Sequence, residues 1–219
     1  MGKNVLQTFR SSFKTIWRIM SNYPIPHHQD DDKSHMLEVI KTFPLATIVS
    51  VKDGKPLITH LPLVYRESDQ KLIGHIDIYN PQTEMMRDRC DISVLFYGPQ
   101  CYISPSIYTT TQLPTWNYIR VHLKGKVEAI ESKKALKQSL ITMTEFLEGE
   151  DPKYVLEEDN PRMERALDYI KMFEIEITSW EGKFKLSQDK KKSDISAARE
   201  ELIKANQKSI KRFLDQVFI

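Results

Sequence analysis

From Leu45 onward apolar and polar residues alternate with period two in a succession of short segments, the pattern of strands that bury one face. LATIVSV (45–51) ends at Asp53-Gly54 and KPLITHLPLVYR (55–66) follows. This predicts a hairpin, because Asp-Gly accepts the positive φ angles of a tight two-residue loop. KLIGHIDI (71–78) and DISVLFYG (91–98) predict two more strands, YIRVHLKGKVEAI (118–130) a long one, and FEIEITSW (173–180) the last of six. The expected fold is mainly β with flanking helices (α+β), its strands closing into a barrel.

Helical periodicity fills the intervals. A short helix over 34–42 has Ser34 as cap, with Met36, Leu37 and Ile40 inward, and Asn80-Pro81 is a cap followed by a first-turn proline. Ser132 caps a helix whose Leu136, Leu140, Met143 and Leu147 form one stripe, and Asn160-Pro161 opens another with Met163, Leu167 and Ile170. After the basic run KLSQDKKKSD (185–194), a C-terminal helix carries Leu202, Ile210, Phe213 and Val217 and can cover the barrel or a partner subunit. The seven glycines form no G-x-G-x-x-G or G-x-x-x-x-G-K arrangement, which speaks against a dinucleotide-binding doubly wound fold or a P-loop. Any phosphate must be held without a glycine cradle.

The start of the chain differs. No Asp or Glu occurs between Met1 and Gln29, while Lys3, Arg10, Lys14 and Arg18 alternate with Val5, Leu6, Phe9, Phe13, Ile16 and Trp17. A membrane-surface helix and an acidic-poor transit peptide share this form; an extension ahead of the domain is the reading adopted. The expected organisation is an extension over 1–20, a domain over 21–190 and a C-terminal helix over 191–219.

Composition narrows the partners. Across 219 residues, 32 basic and 30 acidic side chains leave a net charge of +2, too little to attract nucleic acid or an anionic membrane by its overall field. No apolar run reaches the ~18 residues of a membrane helix. Cys90 and Cys101 have no ligand-like spacing and read as free thiols of a reducing compartment, which makes the cytoplasm the expected location.

The candidate chemistry lies where polar residues interrupt apolar strands. Ile119, Val121 and Leu123 point one way and Tyr118, Arg120, His122 and Lys124 the other, next to Trp116 and Asn117 and the threonines at 109–111. In LIGHIDIYNPQ, His75 and Asp77 share a strand face with Ile73, and the chain passes directly into Asn80-Pro81, a helix start suited to an anion. Lys183, Lys185, Ser187 and Gln188 follow the last strand. Taken singly, each feature also fits a structural role: the wet face of an antiparallel sheet, a satisfied strand histidine, a solvated tail. Together they suit a planar aromatic phosphate ester such as FMN, which needs ring stacking, polar contacts to ring edges and one phosphate clamp. HHQDDD (27–32) has metal-ligand residue types but reads as a solvated loop, and no metal is expected.

FPLATIVS, THLPL, GHIDIYNPQ, GPQCYISPSIY, PTWNYIRVHLKG and EGKFKLSQD occur in that order. Over roughly residues 20 to 195 the chain resembles the PaiB family of FMN-binding negative transcriptional regulators. The resemblance implies an FMN-binding split β-barrel of the pyridoxamine-phosphate-oxidase-like kind, a homodimer, and FMN near the subunit interface. Carried onto this sequence, it places His75, Ile76, Asp77 and Asn80 beside flavin and phosphate, with Trp116, Asn117, Tyr118, Lys185, Ser187 and Gln188 closing the pocket. Three positions depart from the family pattern: Asp77 stands for a small residue, Ile107 for an aromatic and Asp189 for asparagine. The two added carboxylates are expected to repel a phosphate or a reduced flavin.

Two functions follow from these expectations. The first is a flavin-dependent negative transcriptional regulator, although the sequence has no helix-turn-helix signal and no recognition helix, so direct DNA contact is not expected. The second is a flavin-dependent oxidoreductase using NAD(P)H or a small molecule, with His75, His122 or Tyr118 moving protons; none has a diagnostic partner, and no catalytic residue is assigned. A haem-handling barrel would need histidine ligands, and no spacing supports it.

Overall fold

The computed structural model describes residues 24–207. The expected extension over 1–20, and Ile210, Phe213 and Val217 of the expected C-terminal helix, lie outside them. Among the described residues eight strands form one sheet: β1 (Gln29–Asp30), β2 (Leu45–Lys52), β3 (Lys55–Pro62), β4 (Val64–Arg66), β5 (Lys71–Asp77), β6 (Cys90–Ile103), β7 (Thr115–Ile130) and β8 (Ile170–Lys185). Among the described residues four α-helices accompany it, α1 (Lys33–Thr42), α2 (Lys133–Glu148), α3 (Pro161–Ala166) and α4 (Lys192–Asn206). No helix among the described residues is long and apolar enough to cross a membrane.

The strands hydrogen-bond in the order β3-β2-β6-β7-β8-β5-β4, with β1 beside β8. The path is open, which corrects the closed barrel expected from strand number. The KPLITHLPLVYR run breaks at Pro62, and the Leu63 N–H leaves the strand to donate to Pro44 O at 2.9 Å. Only three residues remain for β4, which pairs antiparallel with β5.

The β2–β3 hairpin runs in register from Leu45 opposite Pro62 to Lys52 opposite Lys55. Asp53 and Gly54 turn it with φ of 51° and 73°, both positive as a tight primed turn requires. Three later strands overrun their expected ends. β6 continues through Gly98-Pro99, β7 begins at Thr115, and β8 continues through Gly182. α1 is capped by Asp32, whose Oδ1 accepts from Ser34 N–H, and not by Ser34 itself. Ser132 caps α2 as expected. Ile170, expected in a helix, opens β8 instead, because α3 ends at Ala166 and a single 3-10 turn follows it.

By internal packing the chain divides into two compact units. One comprises the described parts of Met1–Asp30, Gln100–Tyr118 and Lys183–Ile219, the other Asp31–Pro99 and Ile119–Gly182. In the first, Cys101, Ile103 and Ala198 are buried together, with Leu202 and Ala205 of α4 packed on them. Asp194, near the start of α4, is buried and accepts from Thr109 N–H at 2.8 Å, Thr109 Oγ1 at 2.9 Å and Thr110 Oγ1 at 3.3 Å. That carboxylate ties the 109–110 loop to the helix. In the second unit, Ile73, Met172, Leu136, Met163 and Leu167 form a core beneath α2 and α3.

Candidate functional site

Strand alternation sorts the residues of PTWNY. Thr115 and Asn117 face one way and Trp116 and Tyr118 the other, since successive side chains of a strand point to opposite faces. Thr115 and Asn117 line a cleft of about 340 Å³ in the first unit, together with Gln112, Lys185, Ser187 and Lys190. Trp116 is half exposed and lies 6.4 Å from the Tyr102 ring. The pocket expected around Trp116, Asn117 and Tyr118 together is therefore split between two faces of one strand.

The floor of the cleft is a polar hub. Asn117 and Ser187 are both buried, and Asn117 Nδ2 donates to Ser187 Oγ at 3.1 Å. The Tyr108 hydroxyl lies 2.8 Å from the same oxygen. Ser187 takes up this place with a φ of 64°, a left-handed conformation uncommon for a residue with a side chain. Lys185 Nζ donates to Thr115 Oγ1 at 2.6 Å.

A second set of contacts fixes the entrance. Gln188 Oε1 accepts from Leu186 N–H at 2.7 Å, and its Nε2 donates to Phe184 O. With the amide so oriented, the oxygen 3.0 Å from His28 Nδ1 can only accept, so His28 carries its proton on Nδ1 and presents the Nε2 lone pair. Burial holds the His28 pKa below its ordinary value, with the Gln188 bond opposing. Asp189 pairs with Lys190 at 2.7 Å. Burial works against its ionisation, yet the Lys190 bond and charge outweigh burial and hold the carboxyl below its usual range. Two lysines against one carboxylate leave the cleft suited to an anion. HHQDDD is thus not wholly a solvated loop: His28 is buried, and His27 packs its ring edge-on at 4.2 Å.

The residues expected from GHIDIYNPQ lie in the second unit and are largely engaged. His75 Nε2 lies 2.7 Å from Ser139 Oγ, whose own proton goes to Leu136 O at 2.8 Å. Burial alone lowers the His75 pKa to about 4. Ile76 is 3% exposed, so its side chain belongs to the core. Asp77 Oδ1 accepts from Tyr79 N–H at 2.7 Å and its carbonyl from Thr83 Oγ1 at 2.8 Å, a turn-forming role.

Asn80 does cap the following turn, but the anion site expected there is not formed. That turn is a 3-10 stretch of five residues, Pro81–Met85. Pro81 has no N–H, Gln82 N–H donates to Asn80 Oδ1 and Thr83 N–H to Asn80 O. Asn80 Nδ2 is itself committed to Thr59 Oγ1 at 3.0 Å. Beside it, buried Gln82 Oε1 has no hydrogen-bond partner.

Sequence reasoning did not assign His28, Tyr108, Thr115 or Lys190 to this site. His28 and Tyr108 lie inside the stretches HHQDDD and GPQCYISPSIY already singled out, so a signal existed; their contacts with Gln188 and Ser187 are between segments far apart in sequence.

The family described as "Putative FMN-binding domain" matches residues 22–179. "Protease synthase and sporulation protein PAI 2" of Bacillus subtilis is 32% identical over 159 residues, covering 71% of this chain and 77% of the relative. In three dimensions the chain is similar to the "FAD and Heme binding protein" of Mycobacterium smegmatis, with a TM-score of 0.59 and 20% identity over 78% of this chain and 80% of that one. It is also similar to the "Flavocytochrome Anf3" of Azotobacter vinelandii, with a TM-score of 0.56 and 16% identity over 72% and 69% of the two chains.

Proposed function

Because the chain belongs to the FMN-binding domain family just described, we propose that it is a flavin-dependent negative transcriptional regulator of the PaiB type, acting in the cytoplasm as a homodimer. FMN is its cofactor. The residues of the cleft fit the polar end of that group: Lys185, Lys190 and Thr115 take the phosphate, and Asn117 and Ser187, held by Tyr108, supply hydrogen bonds. Gln188, committed to Phe184 and Leu186, positions the chain around Ser187. FMN when bound supplies a redox-active ring. Trp116 and Tyr118 lie on the other face of β7 from Asn117, and their proposed role is to meet the flavin of the partner subunit.

The observation that carries this reading is the buried Asn117–Ser187–Tyr108 hub between two lysines. Titrating the purified protein with FMN tests it. The expected result is saturable uptake of a chromophore absorbing near ~450 nm, weakened about tenfold or more by Lys185→Ala. A colourless protein that ignores added FMN refutes the reading. A gel-shift titration across salt concentrations tests direct DNA contact, for which no salt-dependent complex is expected at a net charge of +2.

A further inference from the structure

At the entrance of the cleft three ligand-type side chains from distant parts of the chain come together. His27, His28 and Asp189 each offer one ligand atom, and these atoms all lie within 4.8 Å of one another. We propose that they form a binding site for a divalent transition-metal ion, with Zn²⁺ the best suited. This goes beyond the flavin reading and does not rest on it.

Gln188 fixes the His28 ring with its Nδ1–H donated to Oε1, which leaves the Nε2 lone pair for a metal. Metal-binding histidines are characteristically oriented in this way, by a hydrogen bond from the ring nitrogen that does not ligate. Two imidazoles and a carboxylate form a borderline-soft set that suits Zn²⁺ and its neighbours better than Mg²⁺ or Ca²⁺, and three protein ligands leave an open position for water or an anion. Metal bonds of ~2.0–2.2 Å would draw the three atoms closer together than 4.8 Å. His27 and Asp189 are exposed and can rotate to do so.

Lys190 Nζ sits 2.7 Å from Asp189 Oδ2 and competes for the carboxylate. A doubly charged ion outcompetes a single ammonium on a flexible stem, which can swing into solvent. Asp189 is also a position where the chain departs from the asparagine of the family pattern. The carboxylate that would repel a phosphate in the same cleft becomes, with a cation on it, part of a positive centre.

The test uses the full chain, stripped with a chelator and free of flavin, titrated with ZnCl₂ by calorimetry and with CoCl₂ by absorption. One ion per chain is expected, with visible Co²⁺ bands of a low-coordinate site. Asp189→Asn and His27→Ala should each weaken Zn²⁺ binding at least tenfold and change the Co²⁺ spectrum. The absence of stoichiometric binding, or an affinity unchanged in either variant, overturns the proposal. Circular dichroism confirms that the variants fold. FMN titration of Asp189→Asn reads the flavin site separately, so loss of metal and loss of flavin are distinguishable.

Discussion

His75 is an imidazole that folding keeps neutral. Ser139 Oγ donates its proton to Leu136 O and so accepts from His75 Nε2–H, which fixes the tautomer, while burial lowers the pKa from 6.5 to about 4. The unfolded chain therefore takes up the proton first on acidification. Stability from this group is intact above pH 6.5, falls as pH drops below it and levels off near pH 4, a change of up to roughly 3 kcal/mol. His75→Gln should flatten that part of the stability–pH curve, as followed by chemical denaturation. Asp194 is the opposite case. The Thr109 N–H bond, chief among its hydrogen bonds, holds its carboxyl below the usual range, so Asp194→Ala should raise the hydrogen-exchange rate of Thr109 while leaving the amides of β2 unchanged. At this scale the caps Asn80, Ser132 and Asn160 were legible because capping is local. Asp32 was passed over for Ser34 because both residue types cap helices and two positions separate them. The partners of Asp194 and His28 were illegible, since they lie far along the chain.

Among the elements, β7 and β8 approach so closely at Gly125 that a side chain there has no room. A Cβ would stand 2.5 Å from Ile175 Cγ2 and 2.6 Å from the Glu176 carbonyl oxygen, and backbone cannot move aside as a side-chain tip can. Gly125→Ala should cost about 1–3 kcal/mol, seen as a fall in Tm of roughly 2–10 °C. Strand interiors were legible by alternation, and the β2–β3 hairpin by its Asp-Gly turn. Strand ends were not. Gly98-Pro99 reads as a stop, yet β6 passes through it: the strand lies so close to β7 there that a Cβ on Gly98 would stand 3.0 Å from Ile119 Cγ2, and Arg120 Nη1 donates to the Gly98 carbonyl at 3.0 Å. Tertiary contact overrides the local signal there. The same limit applied at the expected anion site: Asn80-Pro81 correctly marks a helix start, but its length, and hence its free N–H groups, depends on what the chain packs against next.

For the molecule as a whole, the fold class was readable from strand number and periodicity, whereas the open path of the sheet was not, because closure depends on which strands find each other. The proposed homodimer makes a direct prediction. Sedimentation should give a mass near twice 25.7 kDa, and a species of 25.7 kDa that still binds FMN would remove the partner subunit from the site. The open path has one more consequence. β3 ends the hydrogen-bonded order and carries Ile58, which is 59% exposed. Lys55, Pro56 and Pro62 blunt the two ends of that strand, but its middle remains an adhesive rim on which partly denatured copies can stack during heating or storage. Shelf life in concentrated solution is thus governed at this rim, and Ile58→Lys should lower the turbidity that develops on warming without altering flavin uptake.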